Sequence, residues 1–129
     1  MYTVKDIMKT VVCTIPDDKT VSEVEGILVE ESISGAPIVS EEGNVVGLIS
    51  QSDIVHFDFI GGDTYNTPAI EIATYNVITV RTVDTVQHAA MEMKMNDIHR
   101  LLVVEDGRVA GIVTSTDIVK LVGEKGIAE

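Results

Sequence analysis

An internal repeat constrains this sequence more than any other feature. The stretch "GLISQSDIV" at 47–55 returns as "GIVTSTDIV" at 111–119, and further matches extend the similarity over 3–56 and 68–120. A repeat of this length indicates two similar units built in succession. At about 54 residues, neither copy buries enough apolar surface to be stable alone, so we expect the pair to be the folding unit.

Both copies present the same order of local signals. A short β-branched run predicts a strand, and Thr20 or Thr85 then begins an amphipathic helix, with Glu23 completing a capping box behind Thr20. Two apolar runs joined by a turn at Gly43 or Gly107 predict a β-hairpin, and a short helix follows. The order is strand, helix, strand, strand, helix, which predicts an α+β chain of tandem βαββα repeats. The predicted strands before the hairpins are 11–15 and 76–80, the helices are 20–31, 51–58, 85–96 and 115–122, and extra helical turns are expected at 3–9 and 68–73.

These signals also divide the chain. We expect a first domain at 1–60, a linker at 61–67 and a second domain at 68–129, since Gly61, Gly62 and the polar residues after them are typical of a connection. In the second long helix an apolar side predicts core packing, and its members are Ala89, Ala90, Met91 and Met93.

Composition narrows the functional class. The net charge is −12, with 3 basic and 12 acidic residues in 1–64 and 6 and 9 in 65–129, so the field of the chain disfavours a phosphate backbone as partner. No apolar run is long enough for a membrane span, and the N-terminus lacks a signal peptide, so we expect a soluble cytoplasmic protein. Cys13 is the single cysteine, which excludes an internal disulfide and predicts an apolar thiol in a strand.

The repeated stretch contains the motif Gly-x-x-Ser/Thr-x-x-Asp, which has two interpretations. In one, Ser50 or Thr114 caps a helix, and Asp53 or Asp117 bonds back to the cap. In the other, the N–H groups at the helix start attract a phosphate, while the carboxylate accepts bonds from two sugar hydroxyls. The second interpretation fits a ribonucleoside ligand.

The chain resembles a CBS domain pair, also called a Bateman module, of the stand-alone tandem type. The resemblance covers 3–122 and is carried by "VKDIM", "VVCTI", "SGAPIV", "GLISQSD", "HRLLVV" and "GIVTSTD", in order. It implies two βαββα units packed about a pseudo-twofold axis. It also implies two clefts for adenosine-containing ligands such as AMP, ADP, ATP or S-adenosylmethionine, with the motif Asp on ribose and the hydroxyl near phosphate.

Matched positions carry the implied site residues over to this chain. Leu102 departs from the family pattern, because the family often has there the proline seen at Pro37. Lys120 stands where the first copy has His56. One cleft is assigned to Thr14, Ile15, Pro16, Gly35, Ala36, Pro37, Ser50 and Asp53, and the other to Thr79, Val80, Arg81, His99, Arg100, Leu101, Thr114, Asp117 and Lys120.

We therefore predict a non-catalytic adenosine-nucleotide sensor that changes conformation to regulate a partner protein. An enzyme is disfavoured, because the spacings assemble no nucleophile and base, no paired catalytic carboxylates and no metal cluster, and no catalytic cofactor is expected. A structural adaptor or dimerisation module with no ligand is the alternative.

The sequence also predicts a homodimer and two unequal clefts. A homodimer would cover apolar residues near the ends of both copies, namely Ile54, Val55, Phe57, Phe59, Ile118, Val119, Leu121 and Val122. AMP, ADP or ATP should prefer the cleft with Arg81, His99 and Arg100, while the other cleft stays empty or takes a less anionic adenosine compound. In the alternative, Arg81 and Arg100 only pair with surface carboxylates.

Overall fold

The computed structural model describes residues 1–125 and divides the chain into two compact units. The Asp53 unit is Cys13–Val77. The Asp117 unit combines Met1–Val12 with the chain from Ile78 onward. Each unit contains one three-stranded sheet with helices, so the α+β class is confirmed.

The Asp53 unit begins with a very short strand and ends with a 3-10 turn. In order it contains β1 (Ile15–Pro16), α2 (Val21–Glu30), β2 (Gly35–Val39), β3 (Val45–Ser50), α3 (Gln51–Phe59) and a 3-10 helix (Ala69–Ile72). In the sheet, β1 runs parallel to β2, and β2 runs antiparallel to β3. The Thr20 hydroxyl caps α2 by accepting from the Glu23 N–H at 3.2 Å, so the predicted capping box is confirmed. Its core consists of Ile15, Val21, Val24, Leu28, Ala36, Ile38, Ile49, Ile54 and Ala69.

The Asp117 unit repeats this plan, with a longer hairpin. It contains α1 (Val4–Ile7), β4 (Thr79–Val80), α4 (Val86–Asn96), β5 (Arg100–Glu105), β6 (Arg108–Thr114) and α5 (Ser115–Lys125). The strand β4 is parallel to β5, and β5 is antiparallel to β6. Its core consists of Val4, Val80, Val86, Ala89, Met93, Leu101, Val103, Val113, Ile118 and Leu121.

The segment that leads each repeat joins the sheet of the other repeat. Lys9 forms an antiparallel bridge with Ile112 on β6, and Thr74 forms the equivalent bridge with Leu48 on β3. The repeats follow one another in sequence. The compact units do not, because the Asp53 unit lies between the two segments of the Asp117 unit. The division into 1–60, 61–67 and 68–129 stays a prediction.

Three local expectations differ from the structure. The strands expected at 11–15 and 76–80 shrink to two residues each, because only those residues pair with β2 or β5, and Val11 is 95% exposed. Helix α5 continues to Lys125 rather than ending at 122. Met91 is exposed, because it lies on the side of α4 opposite Ala89 and Met93, which are both buried.

Candidate functional site

The Asp117 motif lies where β6 passes directly into α5. The Thr114 N–H donates to Asp117 Oδ2 at 2.9 Å, and the Asp117 N–H donates to Thr114 Oγ1 at 3.2 Å. This reciprocal pair is a capping box, so the cap interpretation is confirmed here. Asp117 is nonetheless unusual, because a carboxylate at the start of a helix is normally solvated and this one is 9% exposed.

The Asp53 motif has the same geometry where β3 passes into α3. The Ser50 N–H and the Ser50 hydroxyl both donate to Asp53 Oδ2, at 2.9 and 3.0 Å. The Asp53 N–H donates to Ser50 Oγ at 3.3 Å, and the Ser52 hydroxyl lies 2.9 Å from Ser50 Oγ. The cap is confirmed here as well. Asp53 is only half-buried, which distinguishes it from Asp117.

The neighbouring strand places different side chains beside the two motifs. In the Asp53 unit Gly35 pairs with Ser50, and a Cβ on Gly35 would lie 2.9 Å from the Ile49 carbonyl oxygen. The Gln51 N–H donates to the Ser34 carbonyl at 2.8 Å. Small residues therefore border this motif.

In the Asp117 unit the bordering residues are His99 and Arg100. Arg100 pairs with Thr114, and the Ser115 N–H donates to the His99 carbonyl at 2.8 Å. Both side chains are exposed, as is Lys120 one turn along α5. Within residues 1–125, neither Arg100 nor Lys120 has a carboxylate partner within 4.0 Å. The predicted residues Thr114, Asp117, His99 and Arg100 thus come together.

Arg81 lies apart from that group. Thr79 pairs with Leu102 and Val80 with Val103, so Arg81 follows β4 about four strand positions, or roughly 13 Å, from the level of Arg100. Its guanidinium Nη2 is 4.0 Å from Glu105 Oε2. The expected competition from a surface carboxylate is therefore observed for Arg81.

The other assigned residues divide by exposure. Thr14, Pro16 and Thr79 are exposed beside or within the short parallel strands. Five have buried side chains, namely Ile15, Ala36, Pro37, Val80 and Leu101. A ligand would contact this second group mainly through the backbone unless the side chains moved.

Lys9 contributes a contact that was missed at the sequence level. Its Nζ lies 3.7 Å from Asp117 Oδ1, and its own side chain is 66% exposed. The two residues are at opposite ends of the chain, and the position that matches Lys9 in the repeat is Thr74, so neither spacing nor repetition pointed to the pair. Only the bridge between Lys9 and Ile112 brings them together.

The environment of Cys13 does not activate its thiol. Burial, and secondarily the negative charge of Glu31, raise the pKa of the Cys13 thiol, which opposes formation of a thiolate nucleophile.

In the part of the chain that the structure describes, no three His, Cys, Asp or Glu side chains are grouped as metal ligands. Over the same residues, no helix is both long enough and apolar enough to cross a bilayer.

Comparison with known families decides what these paired motifs belong to. The CBS domain model matches the chain twice, at residues 4–59 and 69–124. The chain belongs to the CBS domain family. This CBS pair is 35% identical over 122 residues to homoserine O-acetyltransferase from Methanohalobium evestigatum, spanning 94% of this chain but 24% of that enzyme.

Two solved CBS structures are similar to this pair over nearly their whole length. The CBS domain pair of protein MJ0100, in complex with 5′-methylthioadenosine and S-adenosyl-L-methionine, is 38% identical with a TM-score of 0.79, covering 97% of this chain and 98% of that one. CBSX2 in complex with AMP is 26% identical with a TM-score of 0.84, covering 96% and 98%. Both similar structures contain adenosine compounds.

Proposed function

We propose that this CBS pair is a regulatory module that binds an adenosine-containing ligand at the Ser50/Asp53 and Thr114/Asp117 motifs. The observation that carries the proposal is the buried Asp117 carboxylate at the start of α5, beside the exposed His99 and Arg100. A carboxylate supplies acceptors for sugar hydroxyls, and the cations supply charge for phosphate. The adenosine compounds in MJ0100 and CBSX2 support the same ligand class.

The proposed ligand contacts leave the helix caps intact. Asp117 Oδ2 accepts from the Thr114 N–H, whereas Oδ1 faces Lys9. Ribose hydroxyls would therefore donate chiefly to Oδ1, leaving the cap bond to Oδ2 in place. Retaining the cap keeps α5 ordered while the ligand binds, so one carboxylate serves both roles.

The two clefts differ in the ligand they prefer. Ser34 and Gly35 border the Asp53 motif, whereas His99 and Arg100 border the Asp117 motif. AMP, ADP or ATP should bind preferentially at Asp117, and a less anionic adenosine compound at Asp53. Calorimetry with AMP on Arg100→Ala and Asp53→Asn tests this assignment. Loss of AMP binding in Asp53→Asn together with normal binding in Arg100→Ala would make it wrong.

The ligand class itself is tested by titrating the full chain with adenosine, AMP, ATP and S-adenosylmethionine, with guanosine monophosphate as control. We expect saturable heat from at least one adenosine compound, and a rise in melting temperature with the same compound, because a ligand that binds only the folded state stabilises it. Absence of both effects with all four compounds contradicts the proposal.

A structural adaptor without a ligand is the second candidate. The observation in its favour is that Ser50 with Asp53, and Thr114 with Asp117, form complete capping boxes from groups of the chain itself. In that case the two motifs only cap their helices and stabilise the fold. Titrations without heat, combined with destabilisation of Asp53→Asn and Asp117→Asn, would favour the adaptor.

The proposed regulatory role rests on relatives in which the matched region is part of a longer enzyme. This chain spans 24% of the homoserine O-acetyltransferase it resembles, so the matched part is a small fraction of that enzyme. We propose that ligand binding shifts this CBS pair between conformations and so regulates a partner protein, without catalysis by the pair itself.

We also propose a homodimer formed through the apolar sides of the helices. Val55 and Phe59 on α3, and Val119 and Val122 on α5, are exposed. In the Asp53 unit, a groove of about 220 Å³ adjoins the exposed side of α3 and is lined by Glu25, Leu28, Val29, Gln51, Ile54 and Val55. A second copy suits Val55 and Val119 because a twofold interface brings the same patch of both copies together, so an exposed apolar side chain meets another apolar surface.

A further inference from the structure

We infer that Lys9 makes the Asp117 cleft selective for anionic adenosine ligands over neutral ones. The inference rests on the proposed function and adds a residue that no matched motif contains. Lys9 Nζ lies 3.7 Å from Asp117 Oδ1, the carboxylate oxygen that does not accept the Thr114 cap bond. Lys9 is thus the positive partner of the buried Asp117 carboxylate.

The backbone around Lys9 holds it against β6. The Lys9 N–H donates to the Ile112 carbonyl, and the Ile112 N–H donates to the Lys9 carbonyl, both at 2.9 Å. Close approach requires Gly111, because a Cβ there would lie 2.6 Å from the Lys9 oxygen. Val4, in the helix just before Lys9, is fully buried in the core of this unit. The Lys9 backbone is therefore fixed, while its side chain remains 66% exposed and can reach a ligand.

Charge explains the preference. Asp117 is 9% exposed, so solvent screens its negative charge poorly, and an unpaired carboxylate would repel a phosphate bound nearby. Lys9 offsets this charge, and its ammonium has three donors, enough to bond Asp117 and a ligand oxygen together. AMP and adenosine present the same ribose hydroxyls to Oδ1, but adenosine carries no charge for the carboxylate to repel or for the ammonium to attract. An anionic ligand therefore benefits from Lys9, whereas adenosine does not.

The Asp53 unit provides an internal comparison. Thr74 bridges Leu48 there, with N–H···O distances of 2.8 and 2.9 Å, at the position equivalent to Lys9 beside Ile112. Threonine has no charge, and within residues 1–125 no Lys, Arg or His lies within 4.0 Å of the Asp53 carboxylate. The same backbone bridge thus places a lysine in the Asp117 unit and an uncharged threonine in the Asp53 unit.

The test measures AMP and adenosine affinities of the full chain by calorimetry, in wild type and in Lys9→Thr, which introduces the residue of the other repeat. AMP affinity should fall about fivefold to tenfold, with adenosine affinity changed less than about twofold, because an exposed cation is partly screened but still acts on a charged ligand. Lys9→Arg should keep most of the AMP affinity. Lys5→Thr removes an equal charge from the same segment and should change neither affinity.

The two affinities distinguish the possible outcomes. An unchanged ratio of AMP to adenosine affinity in Lys9→Thr overturns the inference, whether both affinities fall together or neither moves, and leaves the proposed function intact. An equal loss of AMP binding in Lys5→Thr also overturns it, since total charge would then be the cause. Wild-type protein that binds no adenosine compound overturns the proposed function and this inference with it.

Discussion

At the scale of single residues, the helix cap and the proposed ligand site share one carboxylate. Asp117 Oδ2 accepts the cap bond from the Thr114 N–H, and Oδ1 faces Lys9 Nζ. Asp53 forms the same box with Ser50 but is less buried and has no cation at the equivalent position. Identical motifs can therefore differ in electrostatics because of residues distant in sequence.

Asp117→Asn separates the two roles of this residue. The amide oxygen can still accept the Thr114 N–H, so the free energy of unfolding should fall by at most about 1 kcal/mol. If Asp117 also holds ribose, AMP affinity should fall about tenfold or more, because a bond to a charged acceptor contributes roughly 1.5–3 kcal/mol. Urea unfolding and calorimetry measure the two effects. An unchanged dissociation constant in the folded variant would assign Asp117 to the cap alone.

Glu105 should make the free energy of unfolding depend on pH in the acid range. Hydrogen bonds from the Thr82 hydroxyl and N–H, with a smaller effect of Arg81, lower the pKa of the Glu105 carboxyl below its usual value. The charged form is therefore favoured by folding, and its contribution is complete above the unfolded pKa of about 4.3 and lost as pH falls through the folded pKa. The stability difference between wild type and Glu105→Gln should shrink from pH 7 to pH 3.

The measurement is the urea midpoint of both proteins across that pH range. Glu41→Gln, at an exposed position in a turn, is the matched control and should not reproduce the change. A difference between wild type and Glu105→Gln that is the same at pH 3 and pH 7 would contradict the assignment.

At the scale of elements, the segment that leads each repeat pairs with the sheet of the other repeat. The segment at Lys9 pairs with the edge of β6, and the segment at Thr74 pairs with the edge of β3. A glycine lies under each: a Cβ on Gly47 would be 3.2 Å from Ala73 Cβ, and one on Gly111 would be 2.6 Å from the Lys9 oxygen. Gly111 therefore admits the crossing backbone at Lys9, whereas Gly47 leaves room mainly for the side chain of Ala73.

Gly111→Ala tests that requirement. The new methyl group would collide with the Lys9 carbonyl and with Met8 Sδ at 2.9 Å, so the leading segment must shift, and we expect a loss of about 1–3 kcal/mol in the free energy of unfolding. Gly26→Ala, inside α2 with nothing within 4 Å, is the control and should gain about 0.5–1 kcal/mol. Chemical denaturation measures both. A stabilised Gly111→Ala would show that the segment does not pack as described.

At the scale of the whole molecule, the helices leave apolar surface uncovered. Of the eight residues expected at a dimer interface, Ile54, Ile118 and Leu121 are buried in their own cores, and Phe57 is half-buried. The exposed ones are Val55, Phe59, Val119 and Val122. The apolar surface available for self-association is therefore narrower than the sequence alone indicated.

The double variant Val55→Asp, Val119→Asp should convert the proposed dimer to a monomer. These side chains are 59% and 67% exposed, so the folded monomer tolerates the change, whereas charges buried in an interface are strongly disfavoured. Val83→Asp places a charge at a position 63% exposed outside the helices and should leave the dimer intact. Sedimentation velocity at high micromolar concentration distinguishes the species. Wild type that sediments as a monomer contradicts the dimer.

The predictable features were those encoded by neighbours in sequence. The helix from Val21 follows from a threonine cap and an apolar period, and the hairpins follow from turns at Gly43 and Gly107. The strand expected at 11–15 was wrong in length, because its extent depends on pairing with β2 rather than on its β-branched residues. Arg81 was grouped with Arg100 by its position in the repeat, whereas the register of β4 separates them.

By itself the sequence determined that two similar α+β units form, where their caps lie and to which family they belong, since these depend on short-range spacing repeated in order. Only the tertiary structure decided which sheet each leading segment joins, and hence that Lys9 meets Asp117 while Thr74 lies beside the other sheet. The physical reason is that backbone pairing and charge pairing between distant segments depend on how the chain crosses in space. No local pattern of residues encodes that crossing.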